Sequence, residues 1–177
     1  GTSDLTGKAC TPTSFHWVYD SYALAKTIGA ETVRTGGNPY FMVLADYAFG
    51  TAMSRDATRF ANEVGGKSLG EVRVPLNTPD LSSFILQAQG SGAKIIGLAN
   101  AGLDTANLIK QASEFGVTQS GKQRLAALLF TLAEVHGLGL QARPAAVGRD
   151  GRRVEERHRR AADEAADEDV RRVLVEL

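Results

Sequence analysis

Between residues 20 and 130 the apolar positions follow two alternating patterns. Dense runs of strand length occupy 40–45, 68–74, 94–99 and 125–130. Between them apolar residues return every three or four positions, the period of a helix with one buried face. Met53, Ala57, Phe60, Ala61 and Val64 form one such face, which stops at Gly65-Gly66. Leu81, Phe84, Ile85 and Ala88 form the next; its predicted start has Thr78 as N-cap and Pro79 at the first helical position. Leu108, Ile109, Ala112 and Phe115 form a third face, ended by Gly116. A fourth helix, from about residue 20 to 35, precedes the first strand and stops at Gly36-Gly37. Strands alternating with helices of this length predict an α/β fold built on a doubly wound parallel sheet. Right-handed crossovers then place helices on both faces. The expected strand order is second, first, third, fourth.

Composition narrows the class. Apolar residues make up 43% and charged residues 23%, as in a globular domain, and formal net charge is zero. A neutral balance gives no reason to expect nucleic acid or an anionic membrane as partner. No apolar run is long enough to span a bilayer. The opening Gly1-Thr2-Ser3-Asp4 lacks the basic start and apolar stretch of a signal peptide, so a signal would have been removed or would lie upstream. Cys10 is the single cysteine: a free thiol, or the partner of a cysteine outside this chain.

The composition changes near Arg143. All twelve aromatic residues lie before it, whereas residues 143–177 hold nine of the fourteen arginines and nine acids. Two segments are therefore expected: 1–142, carrying the α/β pattern, and a charged tail, 143–177, that lacks the apolar residues to build much core.

In open parallel sheets ligands bind at the carboxyl ends of the strands, near the switch in strand order. Here those ends carry Ala45-Asp46-Tyr47-Ala48-Phe49-Gly50, Ala99-Asn100-Ala101-Gly102 and Thr131-Leu132-Ala133-Glu134. Aromatic rings, an amide and a carboxylate on one rim suit a small zwitterion or organic acid. Each residue also has a plain reading. Tyr47 and Phe49 could pack under a loop, Glu134 could be a surface carboxylate, and Asp20, which follows Trp17, could simply cap the first helix.

Other chemistry is poorly signalled. Ala61-Asn62-Glu63-Val64-Gly65-Gly66-Lys67-Ser68 loosely resembles a phosphate loop, but it ends a helix and opens a strand, the reverse of what phosphate binding needs. Asp46 after the first strand suggests a phosphoacceptor, without the acidic pair that a receiver domain requires. His16, His136 and His158 have no metal-ligand spacing, and no Gly-x-Ser-x-Gly turn presents a nucleophile. No metal, cofactor or catalytic residue is expected.

Four stretches together carry a resemblance. They are Ser14-Phe-His-Trp-Val-Tyr-Asp-Ser-Tyr-Ala-Leu-Ala25, Tyr40-Phe-Met-Val-Leu-Ala-Asp-Tyr-Ala-Phe-Gly50, Pro75-Leu-Asn-Thr-Pro-Asp-Leu-Ser-Ser-Phe84 and Gly92-Ala-Lys-Ile-Ile-Gly-Leu-Ala-Asn-Ala-Gly102. In this order they resemble the substrate-binding proteins of branched-chain amino acid ABC transporters, the extracellular ligand-binding receptor family. The match runs from about residue 3 to 142. It implies a Rossmann-like lobe of a type I periplasmic-binding fold, in which two lobes close on a ligand, and looks like mainly the second lobe. It further implies a bacterial, periplasmic or lipid-anchored extracellular protein. Its partners would be membrane permease subunits and an amino acid or small, possibly aromatic, acid. The ligand-facing positions it implies are Trp17, Asp20 (for the ligand's amino group), Tyr47 or Phe49 as an aromatic wall, Asn100, Ala101 and Glu134.

The sequence departs from that family after Ala142. Arg143-Pro-Ala-Ala-Val-Gly-Arg-Asp-Gly-Arg-Arg153 stands where a further strand and an aromatic-containing loop belong. Arg, Ala, Gly and Asp without Lys or aromatics is the composition of a GC-rich gene read out of frame. A frameshifted or truncated product is expected, the alternative being a genuine charged helix added to a lobe. Two other functions stay open on the residues alone: a small enzyme on a doubly wound α/β sheet, and a ligand-sensing regulatory domain of the same fold.

Overall fold

A computed structural model describes residues 1–119 and 121–138. The expected tail, with Val154, Val170 and Leu174, lies outside the described residues, as do His158 and residues 139–142.

The two most apolar runs become the centre of the sheet. Strand β1 (Tyr40–Ala45) and strand β3 (Ile95–Ala99) are buried at every residue. Strand β2 (Ser68–Val74) is exposed over most of its length and forms one edge, while β4 (Arg124–Ala127) lies beyond β3. The order is β2-β1-β3-β4 and every pairing is parallel, as the alternation predicts. Ala45 pairs with Val74, Leu44 with Ala99 and Leu98 with Ala127, so the four carboxyl ends finish nearly level. The register of β2 slips between Tyr40 and Met42, where Gly70 takes φ +125°, a conformation that side chains rarely adopt.

Alternate residues of each strand face opposite layers. Tyr40, Met42, Leu44, Ile95 and Ala99 pack with helices α1 (Ser21–Arg34) and α2 (Ala48–Glu63). Phe41, Val43, Ile96 and Leu98 pack with α3 (Ser82–Gly90) and α4 (Gly102–Glu114), and a short α5 (Leu132–Leu138) joins this layer. Helices α1 and α2 meet at Gly29, where a Cβ would come within 2.8 Å of Ala57 O. That layer leaves a small apolar cavity of ≈ 30 Å³ between α1 and the strands, beside Met42, Gly97 and Leu128.

Three local expectations differ from what forms. Helix α3 begins at Ser82, not at Pro79. Thr78 cannot cap it, because its hydroxyl donates to Pro75 O at 2.6 Å; Asp80 Oδ1 instead accepts from Ser82 N at 2.9 Å. Strand β4 covers Arg124–Ala127, starting one residue before the expected 125–130 and ending three residues short of it. Leu128 N still bonds Leu98 O at 3.0 Å, after which the chain turns into α5. That helix and a 3-10 turn at Ser3–Leu5 have no counterpart in the apolar pattern.

Candidate functional site

The loops that leave β1, β3 and β4 meet along one rim. At the end of β1, Asp46 N donates to Val74 O and Tyr47 N to Ala45 O, each at 2.8 Å, so the chain reverses within two residues. This tight turn requires Gly50, since a Cβ there would run into the Ala45 carbonyl. Asp46 lies 3.5 Å from Arg73 Nη1, which also donates to Thr51 Oγ1 at 3.1 Å. Its charge is therefore balanced from the edge strand.

Tyr47 is the N-cap of α2 and is 41% exposed, whereas Phe49 is buried. Their rings lie 5.8 Å apart, and Tyr19 meets Phe49 edge-on at 6.4 Å. These three rings form one side of the rim. Burial pushes the Tyr47 phenol up, and the neighbouring Tyr19 and Asp104 add to this, so it stays neutral at physiological pH. Asp104 sits in the first turn of α4 and accepts from Asn77 N at 3.3 Å, which ties the loop after β2 to the same rim.

The other side is built from hydrogen bonds. Asn100 is 1% exposed and follows the last residue of β3. With its amide turned so that both groups are satisfied, Nδ2 donates to Val43 O at 2.9 Å and Oδ1 accepts from Ala45 N at 3.2 Å. Ala101 is the N-cap of α4 and supplies no side-chain cap. Glu134 takes over that task from 32 residues away, its Oε1 accepting from Gly102 N at 2.7 Å. Oε2 accepts from Thr131 N at 2.6 Å and from the Thr131 hydroxyl. The bond from Thr131 N to the Glu134 carboxylate is the carboxylate half of a capping box at the start of α5. Burial pushes the Glu134 carboxyl up, but the bonds from Thr131 and Gly102 outweigh it and hold the group below its ordinary value. A carboxylate that is 7% exposed thus stays charged by virtue of its donors.

The expected site residues accordingly fall into groups. Tyr47 and Phe49 are in ring contact; Asn100, Ala101 and Glu134 are linked through Gly102. Asp20 caps α1, its Oδ1 accepting from Tyr22 N at 2.6 Å, while Oδ2 lies 3.8 Å from His16 Nδ1. Trp17 is 92% exposed and no ring packs on it among the described residues. Tyr19, Gly102, Asp104 and Thr131 complete the rim and were not singled out from the sequence. Thr131-x-x-Glu134 was the available signal for the last of these. Leu103 and Leu132 are exposed apolar residues flanking Gly102 and Thr131. Among the described residues no group of His, Cys, Asp and Glu could hold a metal, and no helix is long and apolar enough to cross a membrane.

A fold with its polar groups on this rim defines a class of small-molecule binding domain. The model of the periplasmic binding protein family matches residues 1–151, nine residues past the composition boundary at Ala142. A periplasmic binding protein from Burkholderia mallei is 43% identical, with TM-score 0.78, over 92% of this chain and 45% of its own. A branched-chain amino acid ABC transporter periplasmic ligand-binding protein from Burkholderia xenovorans LB400 is 31% identical, with TM-score 0.70, over 79% of this chain and 37% of its own. An ABC transporter solute-binding protein from R. palustris, in complex with 4-hydroxybenzoate, shares the fold at 19% identity and TM-score 0.62, over 69% of this chain and 34% of its own. No curated protein sequence matches the chain. The chain belongs to the periplasmic binding protein family, whose members here are solute-binding proteins and not enzymes. It spans less than half the length of the solved structures it matches.

Proposed function

We propose that this chain supplies one wall of the solute site of an ABC importer for branched-chain or related amino acids or small aromatic acids. The observation that carries this reading is the rim itself: an exposed Tyr47 backed by Phe49, at the N-terminus of α2, which has no side-chain cap of its own. The start of a helix without a side-chain cap favours a carboxylate, and the ring offers an apolar wall for a side chain. The 31% identical structure from Burkholderia xenovorans LB400, a branched-chain amino acid transporter component, points to the same ligand class. On this reading Tyr47, Phe49 and Ala101 face the solute, with Asn100 and Glu134 beneath them and Trp17 and Asp20 on the approach to α1. Permease subunits are the protein partners and the periplasm is the compartment.

A single wall leaves half of a solute in water, where each polar contact contributes only about 0.5–1.5 kcal/mol net. Binding by this chain alone is therefore expected near the millimolar range, equivalent to about 4 kcal/mol. The test is an amide NMR titration with leucine, valine, glutamate and benzoate at up to about 10 mM. Shifts confined to residues 46–50 and 101–103 for one of these solutes support the assignment. Shifts confined to another surface, or none with any of the four, would overturn it. Calorimetry giving a Kd tighter than about 10 μM would instead show that one wall suffices.

A further inference from the structure

We infer that Asn100 and Glu134 are positioning residues that lock the three rim loops into one unit before any solute arrives. This deepens the binding reading above and rests on it for its functional meaning.

The loops after β1, β3 and β4 have no continuous backbone ladder between them, because the paired rungs end at Ala45, Ala99 and Ala127. Two side chains span the gaps. Asn100 uses donor and acceptor together on Val43 O and Ala45 N, so its amide adds one rung where β3 has already stopped. That rung fixes the residue from which the Asp46-Tyr47 turn departs. Glu134 places one oxygen on Gly102 N and the other on Thr131, so a single carboxylate sets the start of α4 and of α5. Only Ala101 and the Gly102 amide lie between the two brackets. A shift of the 100–102 segment would therefore break both.

Burial argues against direct contact as the main role. Asn100 is 1% and Glu134 7% exposed, and each has both functional atoms already in use. A side chain so engaged would leave a buried donor or acceptor without a partner if it turned toward a solute. Tyr47, at 41% exposure, has no such tie and is the side chain on this rim that a solute can meet.

Native-state hydrogen exchange on the solute-free chain tests the inference. In the wild type, Ala45, Gly102 and Thr131 amides should exchange slowly and at closely similar opening free energies. Asn100→Ala and Glu134→Gln should each accelerate all three by about ten- to a hundredfold, including amides that the altered side chain never touches. Asn100→Asp, which keeps the acceptor for Ala45 N, should restore that amide in part. Leu132→Ala, on the same helix but exposed, should change none of them. If a variant fails to fold, Thr131→Val removes one bond to Glu134 and gives a milder version of the same pattern. Acceleration confined to each side chain's own partners, or unprotected rim amides in the wild type, would overturn the inference. No solute is present, so the outcome is independent of whether the titration above succeeds.

Discussion

Leu98, near the end of β3, is fully buried in an apolar cluster, while Asn100, two residues further along the same chain, keeps its place through two hydrogen bonds. The sheet interior and its rim are thus secured differently. Burial is non-directional and is shared among many side chains, so the interior depends on close packing as a whole and not on single directional contacts. Hydrogen bonds are directional and few, so the rim has a defined shape that depends on individual atoms. A surface meant to recognise a small solute gains from the second arrangement, because a prearranged wall avoids ordering costs when the solute binds.

The largest expected effect lies in the interior. Leu98→Ala empties a fully buried position and should cost about 2–5 kcal/mol by urea unfolding. A loss below about 1 kcal/mol would mean that this layer is not close-packed and would erase the contrast with the rim.

An intermediate effect should appear as pH dependence. The folded state holds Glu134 below its ordinary value of 4.5, so the unfolded chain takes up a proton there first. Its contribution to stability is full above that ordinary value and is lost as pH falls through the lower folded one. At pH 7 the wild type should exceed Glu134→Gln by about 1–3 kcal/mol, the scale of hydrogen bonds to a charged group. The difference should shrink on acidification below pH 4.5. A gap that stays constant from neutral to acid would show that the carboxylate's charge is not what holds the rim.

The smallest effect on stability belongs to Tyr47. Tyr47→Ala should leave the unfolding midpoint nearly unchanged, within about 0.5 kcal/mol, because the ring is partly exposed and makes no hydrogen bond that caps α2. The same substitution should abolish the solute-induced amide shifts. A loss of stability comparable to that of Leu98→Ala would make Tyr47 part of the core and remove it from the wall.

The two regions were also unequally legible. The strands and the apolar faces of α2, α3 and α4 follow from apolar spacing within a dozen residues, and that local pattern is what packing uses. The bond from Asn100 to Val43 joins residues far apart in the chain, and so does that from Glu134 to Gly102. No local periodicity encodes such a pair, since an Asn after a strand looks the same whether it meets a solute or a neighbouring strand. The start of α3 differs from the sequence expectation for a similar reason. Thr78-Pro79 has the chemistry of a helix start, but the Thr78 hydroxyl found a closer carbonyl at Pro75. Helix α5 was hidden by its brevity, although the Thr131-x-x-Glu134 pair marks its beginning.

Trp17 is the only tryptophan in the chain and is 92% exposed. Its indole therefore already emits from water in the folded protein, and its emission colour will hardly change when the sheet melts. Intrinsic fluorescence would then make a folded sample look denatured and hide the main transition, so unfolding is better followed by circular dichroism in the peptide region. The same property makes the indole a selective optical probe. A blue shift, or protection from a collisional quencher such as iodide, would report that something has covered residues 15–19, with little background from the rest of the molecule.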